Sequence, residues 1–398
     1  MSNSTPNLKI IGFIIILIII ALIFTAWIYP IYTQNKNTKK TSNCNIAYRL
    51  YTDSLTEKTH VIYNGKDLGE GYGITLAANN IAFLRDINGI NHVIYNGEDL
   101  GEVGPLYFSP MIQLSKNNIA FLQAVDLNKN ICNIIYNNQV LGEARCDYSI
   151  QLSDNNLVYT NSKFHTIFNG KDFGYTVDYK LSDNDLGIIR KENDKYYFIF
   201  NGENKGELGI EQARNLEFDI SDGNFAFGRI IDGKQHIIYN GKDMGEGKYV
   251  SLSGDNIAFI KEIDGVFHVI FNGNDMGEGR LPLQLSGNNI AFKRDINGKP
   301  HVIFNGKDMG EIAETCSGCS PLYILLSNDN IAFERVKDGH IIFNGKDMGV
   351  GDAFTMNISD NNIIFEREIN NKTHIIYNGR DLGLGRVPQI LCEKGPSF

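Results

Sequence analysis

The chain has 398 residues and a formal net charge of −9, with no basic stripe, which speaks against nucleic acid as a partner. Hydrophobic residues make up 42 % of it, enough for a sizeable core. It contains no HExxH, GxxxxGK[ST], GxSxG or GxGxxG motif, so nothing in it announces zinc-protease, phosphate-loop, serine-hydrolase or dinucleotide chemistry.

Residues 1–9 are short and polar. Residues 10–29 form an apolar run broken only by Gly12, Ala21, Thr25 and Ala26. As a helix it would span roughly 30 Å, the thickness of a bilayer core. Trp27, Tyr29 and Tyr32 fall at its end, where amphipathic rings suit the interface. No small-x-small cleavage site follows. An uncleaved transmembrane signal anchor is therefore expected. Residues 30–43 read as a flexible polar stalk. Lys36, Lys39 and Lys40 in that stalk would favour a cytoplasmic domain. The six cysteines, none of them in the apolar run, favour an oxidising compartment. The expectation follows the cysteines: a single-pass membrane protein with its domain on the extracytoplasmic side.

From residue 44 to 392 two short elements alternate. One is an apolar run, then Asn, almost always Gly, and a polar pair. It occurs ten times, with its Asn at Asn64, Asn96, Asn137, Asn169, Asn201, Asn240, Asn272, Asn305, Asn344 and Asn378. Asn-Gly between two strands is the signal of a tight hairpin, because a type I′ turn needs positive φ at both central residues. All eight histidines open this element, and each has an aspartate seven residues on. The pairs are His60 with Asp67, His92 with Asp99, His165 with Asp172, His236 with Asp243, His268 with Asp275, His301 with Asp308, His340 with Asp347 and His374 with Asp381. The two copies without His, starting at Asn133 and Tyr197, lack the Asp as well. Joint presence and absence predicts contact. With a two-residue turn, residue i should face i+9, a Gly in every copy, and i+2 should face i+7. His and Asp then become diagonal neighbours on one face. A group repeated eight times is read as a hairpin lock, not a catalytic dyad.

The second element is a Leu-Ser strand, a turn, and an Ile-Ala-Phe strand, as in Leu252-Ser253-Gly254-Asp255-Asn256-Ile257-Ala258-Phe259. One unit is thus four short antiparallel strands. Many such units with no helix outside the anchor predict an all-β fold, a single β-propeller of about ten four-stranded repeats. These residues resemble the WD-repeat-like propellers of the TolB type, whose blades carry a Ser-Pro-Asp-Gly turn before an Ile-Ala-Phe strand. The Pro is absent here, and no Trp-Asp dipeptide occurs. The resemblance implies a fold and no activity.

Three links between units are long, at 102–112, 207–218 and 311–323, three units apart each time. Loops on a rigid scaffold commonly bind, so Tyr107, Phe108, Glu211, Arg214, Glu314 and Tyr323 are the candidate binding residues. Cys316 and Cys319 form one CxxC without the two further ligands that zinc needs, and a local disulfide or redox pair is expected there. Residues 126–130 open like a calcium loop but lack its Gly. No metal or cofactor is expected. Cys132 and Cys146 lie in one unit and are expected to pair.

The chain enters the repeat without a Leu-Ser strand, and residues 386–392 supply one. Aligning Arg386–Cys392 on Arg280–Ser286 puts Cys392 in the place of Ser286 and Cys44 in that of Asn288. The last strand should then complete the first unit, with a Cys44–Cys392 disulfide as its latch; residues 393–398 remain as a tail. The function expected is binding or scaffolding of protein, peptide or glycan on the loop-bearing face. The alternatives are a hydrolase or lyase with a central-funnel site, and a purely structural envelope component.

Overall fold

The computed structural model describes residues 44–51, 58–103, 112–147, 150–208, 217–312, 324–335 and 338–392. The anchor and stalk expected before residue 44 lie outside the described residues, as does the tail. Among those described, no helix is long and apolar enough to cross a membrane. The chain divides into Asn45–Lys394, which carries the repeats, and Met1–Cys44 with Gly395–Phe398.

The repeats fold into ten four-stranded antiparallel sheets, a ten-bladed propeller. Nine blades follow the chain directly: blade 2 covers residues 72–102, blade 3 112–145, blade 4 150–175, blade 5 178–207 and blade 6 218–246. Blade 7 covers 248–278, blade 8 280–311, blade 9 324–350 and blade 10 352–384. Blade 1 is split. Its second, third and outer strands are Cys44–Tyr51, Thr59–Tyr63 and Lys66–Glu70, and its inner strand is Arg386–Cys392 from the other end of the chain. Each inner strand touches the next. Arg386–Cys392 touches both Asp352–Ser359 of blade 10 and Tyr72–Ala77 of blade 2, so the circle is closed and needs no exposed sheet edge at its seam.

The core lies between blades. Phe83, Phe121, Phe227, Phe259, Phe292, Phe333 and Phe365 of the second strands are fully buried. Phe292 and Ile290 of blade 8 pack on Ala258, Ile260 and Val269 of blade 7. Each such ring contributes roughly 1.5–3 kcal/mol by burial. The packing leaves no room at the link between blades: a Cβ on Gly279 would lie 2.6 Å from Phe292.

Polar bonds repeat the same join. Arg294 of blade 8 donates to the carbonyls of Glu278 (2.7 Å) and Met276 (2.6 Å) on the outer strand of blade 7. Arg85, Arg229 and Arg367 clip their own preceding blades likewise. Ser253 Oγ accepts the N–H of Gly287 in the next blade at 2.8 Å. Ser115 serves Asp154, Ser221 serves Gly254 and Ser286 serves Asn328.

That serine bond fixes the register of the seam and corrects the expected alignment by one residue. Ser359 Oγ accepts the N–H of Cys392 at 2.8 Å, so Cys392 stands where Gly287 does, one place beyond Ser286. Gln389 Nε2 donates to Ile74 O at 2.6 Å as Gln151 Nε2 does to Tyr179 O at 3.3 Å, which gives the same register. The shared Arg-x-Pro misleads because blade 8 takes up extra residues in a bulge between Arg280 and Leu283.

Candidate functional site

The eight histidines and their aspartates are brought together in every case. His Nδ1 lies 2.8 to 3.0 Å from an Asp carboxylate oxygen in all eight blades that have the pair. The pairing between strands differs from the simple hairpin register in one place. Ile62 faces Asp67 as i+2 to i+7, but His60 faces Glu70, at i+10 and not the Gly at i+9. A bulge takes up the extra residue. Its Gly has positive φ, 90° at Gly69, and its N–H donates to the same aspartate, Gly69 to Asp67 Oδ1 at 2.7 Å. The aspartate therefore caps a bulge and holds a histidine. Both the His bond and the Gly N–H bond lower the Asp67 carboxyl below the usual carboxylate range. Asp347 is lowered to about 2 by the Gly349 N–H, His340 and Arg335. Nine of the ten bulges carry this cap, with Asn204 serving Gly206 in the blade of Tyr197. These groups are scaffold.

One face of the ring, formed by the inner-to-second and third-to-outer turns, is equally uniform. Each hairpin Asn has positive φ. Its Oδ1 accepts the N–H at the second position of the second strand, as Asn305 does from Ile290 at 2.9 Å. Its Nδ2 reaches the residue opening that strand, Asn289, at 2.6 Å. Asn289 in turn donates to Asn328 O and Asp329 Oδ1 of the next blade. In blade 5 an aspartate replaces the opening Asn, and Asp185 accepts from Asn201 and from the Gly223 N–H instead. The second task of the hairpin Asn was not legible from φ alone.

The opposite face is where the repeat is broken. The three long links leave and return there, but Tyr107, Phe108, Glu211, Arg214, Glu314, Tyr323, Cys316 and Cys319 all lie outside the described residues. What is described is the start of the inner strands. In blades 2, 7, 8 and 10 these strands are bulged, and those of blades 7, 8 and 10, with that of blade 1, present Tyr249, Leu281, Phe354 and Val387 to solvent, each at least 40 % exposed. Tyr249 (φ 60°) and Val387 (φ 52°) are in the left-handed region, a strained state for bulky side chains. Each is held by a carboxylate from the preceding blade. Glu217 Oε2 accepts the Tyr249 N–H and Glu366 Oε1 accepts the Val387 N–H at 2.6 Å.

Beneath this rim the second strands carry a further break. The residue after the Ile-Ala-Phe triplet is Leu84, Leu122, Thr160, Ile189, Gly228 or Ile260 in blades 2 to 7. It becomes Lys293, Glu334, Glu366 and Arg49 in blades 8, 9, 10 and 1. Lys293 and Glu366 are buried. Burial pushes the Glu366 carboxyl up, the Val387 N–H opposes this, Asp352 adds to the rise, and Arg386 and Arg49 pull it down. Burial and Asp352 also raise Glu334. The buried Nε of Arg49 meets no acceptor among the described residues. Perturbed ionisable groups gathered at one place are a mark of functional sites. The signal was present in the sequence as IAFK, IAFE, IIFE and IAYR, against an uncharged residue at that place in blades 2 to 7.

Two open cavities lie at the junctions of blades 6 and 7 and of blades 7 and 8. One of about 450 Å³ is lined by Lys234, Glu246, Lys248 and Glu262, and one of about 260 Å³ by Phe267, Glu278, Arg280 and Asp295. The Lys248 ammonium lies 4.2 Å from the centre of the Phe267 ring. Among the described residues no group of three or more His, Cys, Asp or Glu could hold a metal. Cys132 and Cys146 are disulfide-bonded, Cα atoms 5.1 Å apart, and Cys44 and Cys392 are each disulfide-bonded.

No family model matches the sequence, and no curated protein matches it. Some solved structures are similar, each with a TM-score below 0.5. The eukaryotic initiation factor is 10 % identical, with TM-score 0.44 over 87 % of this chain and 95 % of that one. Citrobacter koseri AztD is 12 % identical, with TM-score 0.34 over 89 % and 99 %. The β-propeller domain of the trilobed protease from Pyrococcus furiosus is 12 % identical, with TM-score 0.31 over 60 % and 96 %. At such identities and TM-scores the likeness carries no argument about function. In fold the chain resembles the WD40-like and TolB-type propellers.

Proposed function

We propose that this protein is a membrane-anchored binding module whose propeller stands outside the cytoplasm and captures a protein, peptide or glycan on the link-bearing face. The observation that carries the reading is the rim of Tyr249, Leu281, Phe354 and Val387, exposed on the inner strands of blades 7, 8, 10 and 1. Exposed apolar side chains gathered on one face beside charged groups mark an interaction surface. The uniform Asn lattice on the other face offers no comparable departure. The apolar run at 10–29 supports the anchor, and the disulfide-bonded cysteines support an oxidising compartment.

The test uses the full chain in detergent on an array of peptides and glycans. Replacing the four rim residues by serine should weaken every retained ligand at least tenfold. Equal retention by wild type and variant rejects the reading. The orientation is tested separately: protease added to intact cells should remove the domain, and protection would place it inside. A hydrolase or lyase reading rests on Glu334 and Glu366, whose raised carboxyls suit acid–base work. It requires turnover that Glu366→Gln abolishes while binding persists.

A further inference from the structure

The outermost strand of every blade is a sheet edge, and such edges invite foreign strands unless charges guard them. Nine of the ten are guarded. Their first two residues are Lys-Asp in five blades, and Glu-Asp, Glu-Asn, Asn-Asp and Arg-Asp in the others. Blade 3 differs. Its outer strand Gln139–Arg145 has seven residues where the others have five, and it opens Gln139-Val140-Leu141 without a charge. Val140 is 60 % and Leu141 46 % exposed. Val140 also occupies the position of the capping aspartate and has no atom to accept the Gly142 N–H. The hairpin is nevertheless held firmly, because the Cys132–Cys146 disulfide joins its third strand to the residue just past its outer strand.

We infer that this edge is a second binding site, which takes an extended peptide segment of a partner protein as an added β-strand. The available stretch is Gln139 to Glu143, since Ala144 is already bridged to Asn161 of the next blade. Five residues, with the bulge that Leu141 adds between Val140 and Gly142, extend somewhat less than the roughly 17 Å of a regular strand. Backbone N–H and C=O groups along that length would pair with a strand, while the exposed Val140 and Leu141 side chains favour apolar and β-branched residues in it. A second copy of this chain fits less well. Pairing over five residues falls far short of the ~800 Å² per partner of a stable interface, whereas it suffices for a short peptide on an edge already fixed in shape.

The experiment pans a phage-displayed library of random linear dodecapeptides over the full chain in detergent, then measures the synthetic selected peptide. The control variant is Gln139→Lys with Val140→Asp. It writes Lys-Asp-Leu-Gly-Glu, the sequence that blade 1 uses at Lys66–Glu70, and so keeps a strand this fold already supports. The expected result is enrichment of β-branched or aromatic peptides whose Kd rises at least tenfold on the variant. Their binding should also slow amide exchange at Val140 to Gly142. Absence of enrichment, or peptides indifferent to the variant, overturns the site. Concentration-dependent self-association that the variant abolishes overturns it in favour of a second copy.

Discussion

Asn204 Oδ1 accepts the N–H of Gly206 at 2.8 Å in a blade that has no histidine to hold. The cap on the bulge is thus kept where the His–Asp bond is lost, which ranks the aspartate's two tasks. In blade 7, Asp275 accepts the Gly277 N–H at 2.7 Å and lies 2.9 Å from His268 Nδ1. His268→Ala should then cost about 0.5–1.5 kcal/mol. Asp275→Ala should cost about 1 kcal/mol more, because an orphaned N–H is added to the lost pair. Urea melts of the two single variants and the double variant check this; equal losses would deny the cap its priority.

The seam offers a covalent prediction. With Cys392 at the position of Gly287 and Cys44 at that of Asn288, the two cysteines occupy neighbouring places in a turn whose peptide bond is missing. Intact turns keep such Cα atoms about 3.8 Å apart. Chain ends free to spread can reach the 4.4–6.8 Å that a disulfide requires. We propose a Cys44–Cys392 bond, and non-reducing peptide mapping should recover it. Deleting residues 386–392 should abolish cooperative folding, since blade 1 would lose its inner strand.

Glu366 separates charge from hydrogen bonding. Its carboxyl is raised by burial, so the folded state holds a proton more tightly than the unfolded chain does. Stability is therefore fullest below the ordinary glutamate range and falls as pH rises through the raised value. Glu366→Gln keeps an acceptor for Val387 and should flatten that dependence without loss at pH 7. Glu366→Ala should lose about 1–3 kcal/mol. A chemical melt at pH 4 and pH 7 distinguishes them.

Asp347 acts in the opposite direction. Its folded value of about 2 lies below the ordinary aspartate range, so its contribution is present above that range and disappears as pH falls toward 2. Acid unfolding of Asp347→Asn should begin from a lower plateau and show a shallower slope between pH 4 and 2. An unchanged acid profile would show that the His340 and Gly349 bonds are not made in solution.

Much of the fold was legible because the chain aligns with itself. Ten hairpin asparagines and a repeated Ile-Ala-Phe gave strand number, order and closure. The register slipped by one at two places for one reason. Bulges, at Gly69 and its equivalents and between Arg280 and Leu283, add residues that strict alternation cannot reveal. The candidate site was less legible. Attention to loop length pointed to residues outside those described, while the charged residues 293, 334, 366 and 49 stood one place beyond a motif that reads as core. Their meaning needed the ring, which sets blades 8, 9, 10 and 1 side by side although residue 49 is far from the others in sequence.

Site-specific photo-cross-linking in intact cells tests most directly whether the link-bearing face is the binding face. A benzophenone amino acid would be placed at Tyr249 and Phe354 on the rim, and at Asp329 on the opposite face. Adducts from the two rim positions and none from Asp329 are the predicted result. Adducts from Asp329 with a silent rim would contradict the account.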